Sequence, residues 1–272
     1  MDFKRVVIAF IGIFVLIDLF LGYQLVRVNQ QDVSSNGNSA ILSNMRNDNI
    51  KFQNLSNDSD TGDYIGGNGE IGGWEQKVNK QLIGMQCSFD ETNNVLTVTP
   101  SERLELGDNS EEAQKTLDKM MKKPSLFFQG TKYVYDSEMT DNLNETRSKD
   151  GSYLVYQQVL PNHDQTLGEA GQIKIELNDK FELIKYTQTY IASTQILREP
   201  LPMISEEMAA IYLYQYNELP NNSEILWSKI GYSALIQVDN STIFVPTWFV
   251  TIQNGATQTT LRINAFDGKL MN

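Results

Sequence analysis

The amino-acid sequence predicts an α+β protein with a single N-terminal transmembrane helix and two extracellular modules, each a helix packed on an antiparallel sheet. Two patterns indicate this class. A long apolar run occupies residues 6–26, and the pattern of a capped helix followed by alternating, turn-separated strands occurs twice after it. The expected domains are a cytoplasmic N-terminus (1–5), the transmembrane helix (6–26), a polar stalk (27–80), a first α+β module (81–192) and a second (193–272).

The apolar run has the length of a membrane span. As a helix, residues 6–26 would extend roughly 31 Å at about 1.5 Å per residue, which matches a bilayer core of about 30 Å. Lys4 and Arg5 precede the run and predict a cytoplasmic N-terminus with the rest outside. The alternative is a cleaved signal peptide, but its apolar region usually runs only about 7–15 residues. Since residues 24–28 offer no small-x-small site, we favour an uncleaved anchor.

An acidic residue lies near the middle of the predicted span. A central Asp costs about 2.5–3.5 kcal/mol on insertion scales, which the apolar neighbours can absorb. The acid is therefore either simply tolerated or used in a helix–helix contact. A small residue one turn later favours the contact, because small residues let helix backbones approach closely in membranes. With one span in this chain the partner would be another chain, and the predicted interface comprises Phe14, Asp18, Leu21, Gly22 and Leu25.

The stalk and the first module follow the span. Residues 27–80 are rich in Asn, Ser, Gly and Asp, which predicts little core beyond a few apolar positions that could dock on the folded part. Alternation then predicts a hairpin of "LIGMQCSFD" and "NVLTVTP". The segment "DNSEEAQKTLDKMMKKP" is typical of a helix capped by Asp108 or Asn109. Further β-rich segments are "SLFFQ", "TKYVYDSEM", "GSYLVYQQVL", "GQIKIELND" and "FELIKYTQTYIAST", the last two joined as a hairpin.

The second module repeats this order. Ser205 is the expected N-cap of a helix over "SEEMAAIYLYQYNEL". Three strands are predicted after it, with the turns "DNS" and "NGAT" between them. The strands are "EILWSKIGYSALIQV", "TIFVPTWFVTIQ" and "TTLRINAFDGKLM".

Composition excludes several function classes. The net charge is −12, and all of it belongs to residues 27–272, which disfavours nucleic acid as a partner. With one cysteine, no disulfide can form within the chain. The one histidine, His163, lies in a predicted turn and has no second histidine for a typical zinc site. The sequence therefore predicts no catalytic residue, no cofactor and no metal.

Four motifs have ordinary structural explanations. "GNGEIG" lacks the preceding strand and following helix of a dinucleotide site. "NDSDTGD" lacks the ligand positions of an EF-hand and would bind calcium only weakly. Cys87 lies in a strand pattern and fits a buried small side chain. In "PTWFV", Trp248 fits a core anchor, and the alternative is a peptide-binding groove at Pro246 and Trp248.

An ordered series of segments resembles the YycI family. It comprises "MDFKR…LIDLFLGYQL", "NIKFQNLSND…YIGG" and "YTQTYI…ISEEMAAIYLYQYNEL…SKIGYSAL…VPTWFVTI…INAFDGKL". The resemblance implies a non-enzymatic, membrane-anchored accessory protein of low-GC Gram-positive bacteria. Such a protein works with the related protein YycH to adjust the essential sensor histidine kinase YycG, also called WalK, which governs cell-wall metabolism. The resemblance also implies contacts through membrane helices and extracellular domains, with modules like the last two domains of YycH.

Two other functions remain as alternatives to such a regulator. An anchored cell-wall hydrolase would need a clustered acid pair in a cleft, and none of the 34 acidic residues is singled out by the sequence. A module that binds extracellular peptide or holds a protease would need an open sheet edge or an apolar groove near "PTWFV". Only the regulator should depend on the identity of residues 6–26.

Overall fold

The computed structural model describes most of the chain after residue 34. The described residues are 14–18, 20, 35–68, 75–90, 92–146, 151–160, 165–238 and 241–271. Contacts divide the chain into two compact units, residues 1–47 and 48–272. The helices are α1 (Ser35–Asn47), α2 (Glu75–Gln81), α3 (Ser110–Met120), α4 (Ser137–Thr146) and α5 (Glu206–Gln215), with 3₁₀ turns at Gly130–Lys132 and Gly168–Gly171.

The first unit is helical where it is described. Residues 14–18 and 20 have helical backbone, and α1 follows at Ser35–Asn47. Most of the predicted span over residues 6–26 lies outside the described residues. Among the residues that are described, no helix is both long enough and apolar enough to cross a membrane. The polar composition of the predicted stalk did not indicate α1.

A seven-stranded antiparallel sheet forms the first part of the second unit. Its order is β3-β4-β9-β8-β7-β6, with β5 beside β9. Helix α3 packs on one face through Ala113 and Leu117, which share a buried core with Leu96, Tyr156 and Ile175. The strands are β3 (Met85–Asp90), β4 (Val95–Pro100), β5 (Leu104–Glu105), β6 (Tyr133–Tyr135), β7 (Ser152–Gln158), β8 (Gln172–Leu177) and β9 (Glu182–Gln188).

Helix α3 begins where its capping chemistry predicts. The Asn109 side chain accepts a hydrogen bond from the Glu112 N–H at 2.9 Å, which selects Asn109 rather than Asp108 as the cap. The Glu112 carboxylate in turn accepts from the Asp108 N–H at 3.0 Å. This reciprocal arrangement satisfies backbone donors that the helix leaves free.

A six-stranded antiparallel sheet forms the second part of the same unit. Its order is β10-β2-β13-β14-β15, with β12 on the other side of β13. Helix α5 is capped by Ser205, whose hydroxyl accepts from the Met208 N–H at 3.2 Å. The strands are β2 (Ile65–Asn68), β10 (Ser193–Ile196), β12 (Glu224–Val238), β13 (Ser241–Asn254), β14 (Thr257–Asn264) and β15 (Leu270–Met271); β1 (Thr61–Gly62) and β11 (Leu201–Pro202) pair separately.

The α+β class with antiparallel sheets is confirmed, but two local predictions were wrong. "SLFFQ" forms turns rather than a strand, with Phe127 and Phe128 buried. "TKYVYDSEM" is a strand only as far as Tyr135, after which α4 begins. The physical reason is a cap: the Asp136 side chain accepts from the Met139 N–H at 2.9 Å and turns the chain into a helix.

Part of the predicted stalk contributes strands to the folded unit. Strand β2 pairs with β13 on one side and with β10 on the other. Its Gly67 lies close to Ile191 and Phe244, since a Cβ there would stand 2.7 Å and 2.9 Å from their side chains. The glycine-rich sequence "IGGN" therefore fits a close approach of neighbouring side chains. The chain passes from the seven-stranded sheet to the six-stranded sheet between β9 and β10, near residue 193. The division of residues 81–272 into two modules stays a prediction.

Two kinds of contact join the two sheets within the second unit. Leu160, Leu167 and Ile191 share a buried cluster with Tyr232 and Phe244 of the six-stranded sheet. Beside it, a polar seam consists of Lys229, Asp136 and Glu138. The Lys229 ammonium lies 2.6 Å and 2.5 Å from the two oxygens of Asp136, and 3.5 Å from Glu138.

In this seam the Lys229 ammonium lies beside the carboxylate of Asp136, which is almost fully buried. The Asp136 side chain is only 7% exposed and that of Lys229 27%. Burial opposes ionisation of Glu138, but its own backbone N–H and the Lys229 ammonium outweigh that effect and lower the pKa of Glu138 below its ordinary value of 4.5. A lowered pKa contributes stability that is present above pH 4.5 and is lost as the pH falls below it.

We predict that Lys229→Met destabilises the protein by about 2–4 kcal/mol, because it leaves the Asp136 carboxylate without its cation. The loss of stability below pH 4.5 should also become shallower, since Glu138 loses the ammonium that lowers its pKa. Urea unfolding followed by circular dichroism across pH 3–7 measures both effects.

Lys115→Met is the matched control. Its partner Glu111 is one helical turn away, and the two side chains are 63% and 74% exposed. An exposed pair of this kind contributes little to stability, because water and salt screen the two charges. Equal losses in the two variants would contradict a stabilising role for the seam.

Candidate partner interface

The described part of the predicted membrane interface presents apolar side chains outward. Phe14, Val15, Leu16, Ile17 and Phe20 are all exposed large hydrophobic residues on helical backbone. Asp18 lies among them and is exposed as well. A helix that exposes aliphatic and aromatic side chains in this way suits an apolar environment rather than water.

The remaining residues of that predicted interface lie outside the described residues. Leu21, Gly22 and Leu25 are in this group, and so are the topology determinants Lys4 and Arg5. The structure therefore brings together only Phe14 and Asp18, which are one helical turn apart. Their role in binding a partner helix stays a prediction.

Pro246 and Trp248 lie inside the six-stranded sheet. Pro246 is buried opposite Tyr232 of β12, and its carbonyl accepts from the Ala265 N–H at 2.9 Å. Trp248 is half-buried, and its indole N–H donates to the Ile204 carbonyl at 2.9 Å, just before α5. Both residues connect β13 to neighbouring segments. A peptide-binding groove at this position stays a prediction.

Cys87 and the acids of the seam are the side chains to compare with a catalytic nucleophile and a catalytic acid pair. Burial raises the pKa of the Cys87 thiol, which keeps it protonated and weakly nucleophilic at neutral pH. Asp136 and Glu138 form an acid pair, but Lys229 lies between them. The lowered pKa of Glu138 is the opposite of what a glycosidase acid needs.

Within the described ranges, no group of three or more His, Cys, Asp or Glu side chains is arranged to hold a metal ion. The motif "NDSDTGD" instead forms local hydrogen bonds, such as that from the Asp58 N–H to the Ser56 hydroxyl at 3.1 Å. His163 lies outside the described residues.

One exposed apolar surface was not predicted from the sequence. Leu197, Leu235, Ile236 and Ile243 lie near one end of the six-stranded sheet and are named here the end surface. Leu197, Leu235 and Ile236 are 43%, 47% and 52% exposed, and Ile243 is half-buried. The absence of charge through "GYSALIQV" and "STIFVPTWFV" is a signal that could have indicated it, but alternation alone predicts only buried strands.

Comparisons with known proteins give one family. The sequence model of the YycI protein family matches residues 28–266. No curated protein matches the chain. An uncharacterised protein from Eubacterium rectale ATCC 33656 is 10% identical, with a TM-score of 0.44 over 83% of this chain and 91% of that one. The C-terminal domain of Bacillus megaterium YpeB is 11% identical, with a TM-score of 0.37 over 68% and 79%.

We predict that Trp248→Phe destabilises the protein by about 1–2 kcal/mol, because the partly buried Ile204 carbonyl loses its hydrogen-bond donor. Thermal and urea unfolding measure this loss. Tyr216→Phe, which alters a ring 42% exposed at the end of α5, is the control and should change stability by no more than about 0.5 kcal/mol. Trp248→Phe with unchanged stability would favour an open groove at this position.

Proposed function

The chain belongs to the YycI family, and from this premise we propose that it is a non-enzymatic, membrane-anchored regulator of the YycG/WalK sensor kinase. The family is one of regulatory accessory proteins associated with that kinase system. The observation that carries the proposal is the family match over residues 28–266, which covers the seven-stranded sheet and all of the six-stranded sheet except β15. In this proposal the chain acts together with a YycH-type partner and needs no cofactor.

The proposed anchor is the apolar segment over residues 6–26. Its length suits a bilayer, and its described part exposes Phe14, Leu16 and Phe20 on helical backbone. Lys4 and Arg5 favour an N-terminus in the cytoplasm. The acidic residues after the segment would then lie outside the cell, in one α+β unit that carries both sheets.

The proposed mechanism is a coupling free energy between this chain and the kinase. A helix that binds one signalling state of the kinase better than the other shifts the balance between the two states. A typical coupling of about 1–3 kcal/mol would change the balance roughly 5- to 150-fold. Asp18 supports a helix-borne contact, because an acid within an apolar helix gains most from a donor on a neighbouring span.

We predict that Asp18→Leu weakens association with the kinase or with the YycH-type protein, because it removes the one acid of the apolar segment. An in-membrane interaction assay of the full chain, at matched membrane levels, measures this. Leu16→Val is the control, because Leu16 lies on nearly the opposite side of the helix from Asp18 and stays apolar. Retained association of Asp18→Leu would make the acid a tolerated residue, and no association of the wild type with either protein would count against the family-based function.

We further predict that regulation depends on the identity of residues 6–26. Replacing them with a neutral span of equal length should abolish the effect on a kinase-controlled reporter, while anchoring persists. A wall hydrolase or a peptide-binding module would keep its activity after the same exchange. Equal regulation by the exchanged chain would contradict the helix-borne mechanism and move the contact to the exterior.

A further inference from the structure

A group of lysines surrounds the place where α2 meets the end of α3. Val78 of α2 and Met121, which follows α3, are buried in the same core. The Gln81 side chain donates a hydrogen bond to the Pro124 carbonyl at 2.8 Å and joins the two segments at the surface. The exposed side chains at this junction are named here the basic surface and comprise Lys77, Lys80, Ile83, Lys119, Lys122 and Lys123.

Helical periodicity places the lysines of α2 on the side that faces the end of α3. Lys77 is four residues before Gln81 and three before Lys80, so both lysines lie near the amide that bonds to the other segment. Lys122 and Lys123 directly precede the residue whose carbonyl accepts that bond. The fold therefore brings together cations from two segments that are distant in the sequence.

The charge of these lysines is not neutralised within the described part of the chain. Among the residues that the structure describes, none of the five lysines forms an ion pair with an acid, whereas the exposed Lys269 does. Asp118 of α3 is instead turned toward the core, where it accepts from the Tyr156 hydroxyl at 2.8 Å. The neighbouring turn holds Glu102 and Arg103, whose charges cancel. A chain of net charge −12 thus has a local excess of positive charge here.

An exposed apolar side chain lies beside the lysines. Ile83 is 74% exposed, more than any other large apolar side chain in the described part of the chain. Its N–H donates to the Ser125 carbonyl at 3.2 Å, which fixes the backbone while the side chain stays uncovered. The next residue, Gly84, would have no atom within 4 Å of an added Cβ, so the space around this tip is open. Such a side chain is stabilised only by leaving water for an apolar phase.

The lysines and the isoleucine together indicate an anionic lipid surface. Lysines are attracted to anionic headgroups, and an apolar side chain beside them reaches the boundary of the acyl chains. A soluble polyanion would neutralise the lysines but offers no apolar phase to Ile83. An uncharged apolar protein surface would cover Ile83 but leave the ammonium groups without a counter-charge.

We propose that the basic surface binds anionic phospholipid headgroups at the outer face of the cell membrane, with Ile83 inserted at the edge of the acyl chains. The inference rests on the proposed function for the membrane anchor alone. Five lysines and one isoleucine form a weak contact by themselves, but an anchored chain is held at a high effective concentration beside the lipid. The contact orients the second unit on the membrane, because the acidic remainder of the chain is repelled by the same headgroups.

Fluorescence of the full chain in vesicles tests the contact. The environment-sensitive dye NBD is attached to Ile83→Cys in a Cys87→Ala background. The chain is reconstituted into vesicles of phosphatidylcholine, or of phosphatidylcholine and phosphatidylglycerol in equal parts. Emission should rise several-fold only with phosphatidylglycerol, and the rise should disappear in about 1 M NaCl, where the screening length is about 3 Å. The dye at Ile196→Cys, which is 58% exposed on the six-stranded sheet, is the control and should not respond.

Two charge variants separate a local contact from an effect of net charge. Lys122→Glu combined with Lys123→Glu should abolish the rise in emission. Lys51→Glu combined with Lys269→Glu changes the net charge equally, on exposed side chains outside the basic surface, and should preserve the rise. Because all four lysines are exposed, folding should persist, which an unchanged melting temperature verifies.

Three results would overturn the proposal. They are equal emission in the two kinds of vesicle, equal loss in the two charge variants, and an equal rise when soluble polyphosphate is added to the chain in phosphatidylcholine vesicles. None of them bears on regulation of the kinase. A chain that alkaline carbonate extracts from the vesicles would contradict the proposed anchor instead. The dye is then measured with vesicles added from outside, where a rise with phosphatidylglycerol supports the contact and its absence overturns it.

Discussion

The backbone pairing of β13 is the constraint on which the rest of the second unit depends. This strand of 14 residues pairs along nearly its whole length with β12, and on its other side with β14 and then β2. Its partners come from residues far apart in the chain, because β2 lies at Ile65–Asn68. Closing such distant contacts costs conformational entropy, which the burial of Val245, Phe249 and Val250 helps to offset.

The position of β13 also determines what the two faces of its sheet contact. On one face, Trp248 reaches the segment before α5 and Pro246 lies against Gly62. On the other, Phe249 pairs with Lys229 and Arg262, which form ion pairs with Asp136 and Glu169 of the first sheet's helix and turn. Neither the segment before α5 nor the ion pairs with the first sheet reach the end surface. Its apolar side chains are exposed for that reason.

The sequence predicted individual elements well where capping and alternation agree. Asn109 and Ser205 cap the two helices expected there, and the hairpins of β3–β4 and β8–β9 form as predicted. The predicted strand over "TKYVYDSEM" was wrong at α4, because the β-like "YVY" is followed directly by a helix that Asp136 caps. A single side chain decides that boundary, and local composition gives it little weight. The polar, glycine-rich composition before residue 80 gave no signal for α1, β1, β2 and α2, and the two strands form by pairing with distant parts of the chain.

What the sequence by itself determined is therefore local and compositional: the α+β class, the acidic composition of residues 27–272, the apolar segment with Asp18, and the ordered series of segments that indicates the YycI family. These follow from residue type, periodicity and order along the chain, which need no knowledge of distant contacts. Only the tertiary structure decided that residues 65–68 join the C-terminal sheet, that Lys229 lies beside Asp136, and that Leu197 lies against Gly66. Each of these depends on pairing between residues more than thirty positions apart, and residue pattern along the chain carries no information about such a register.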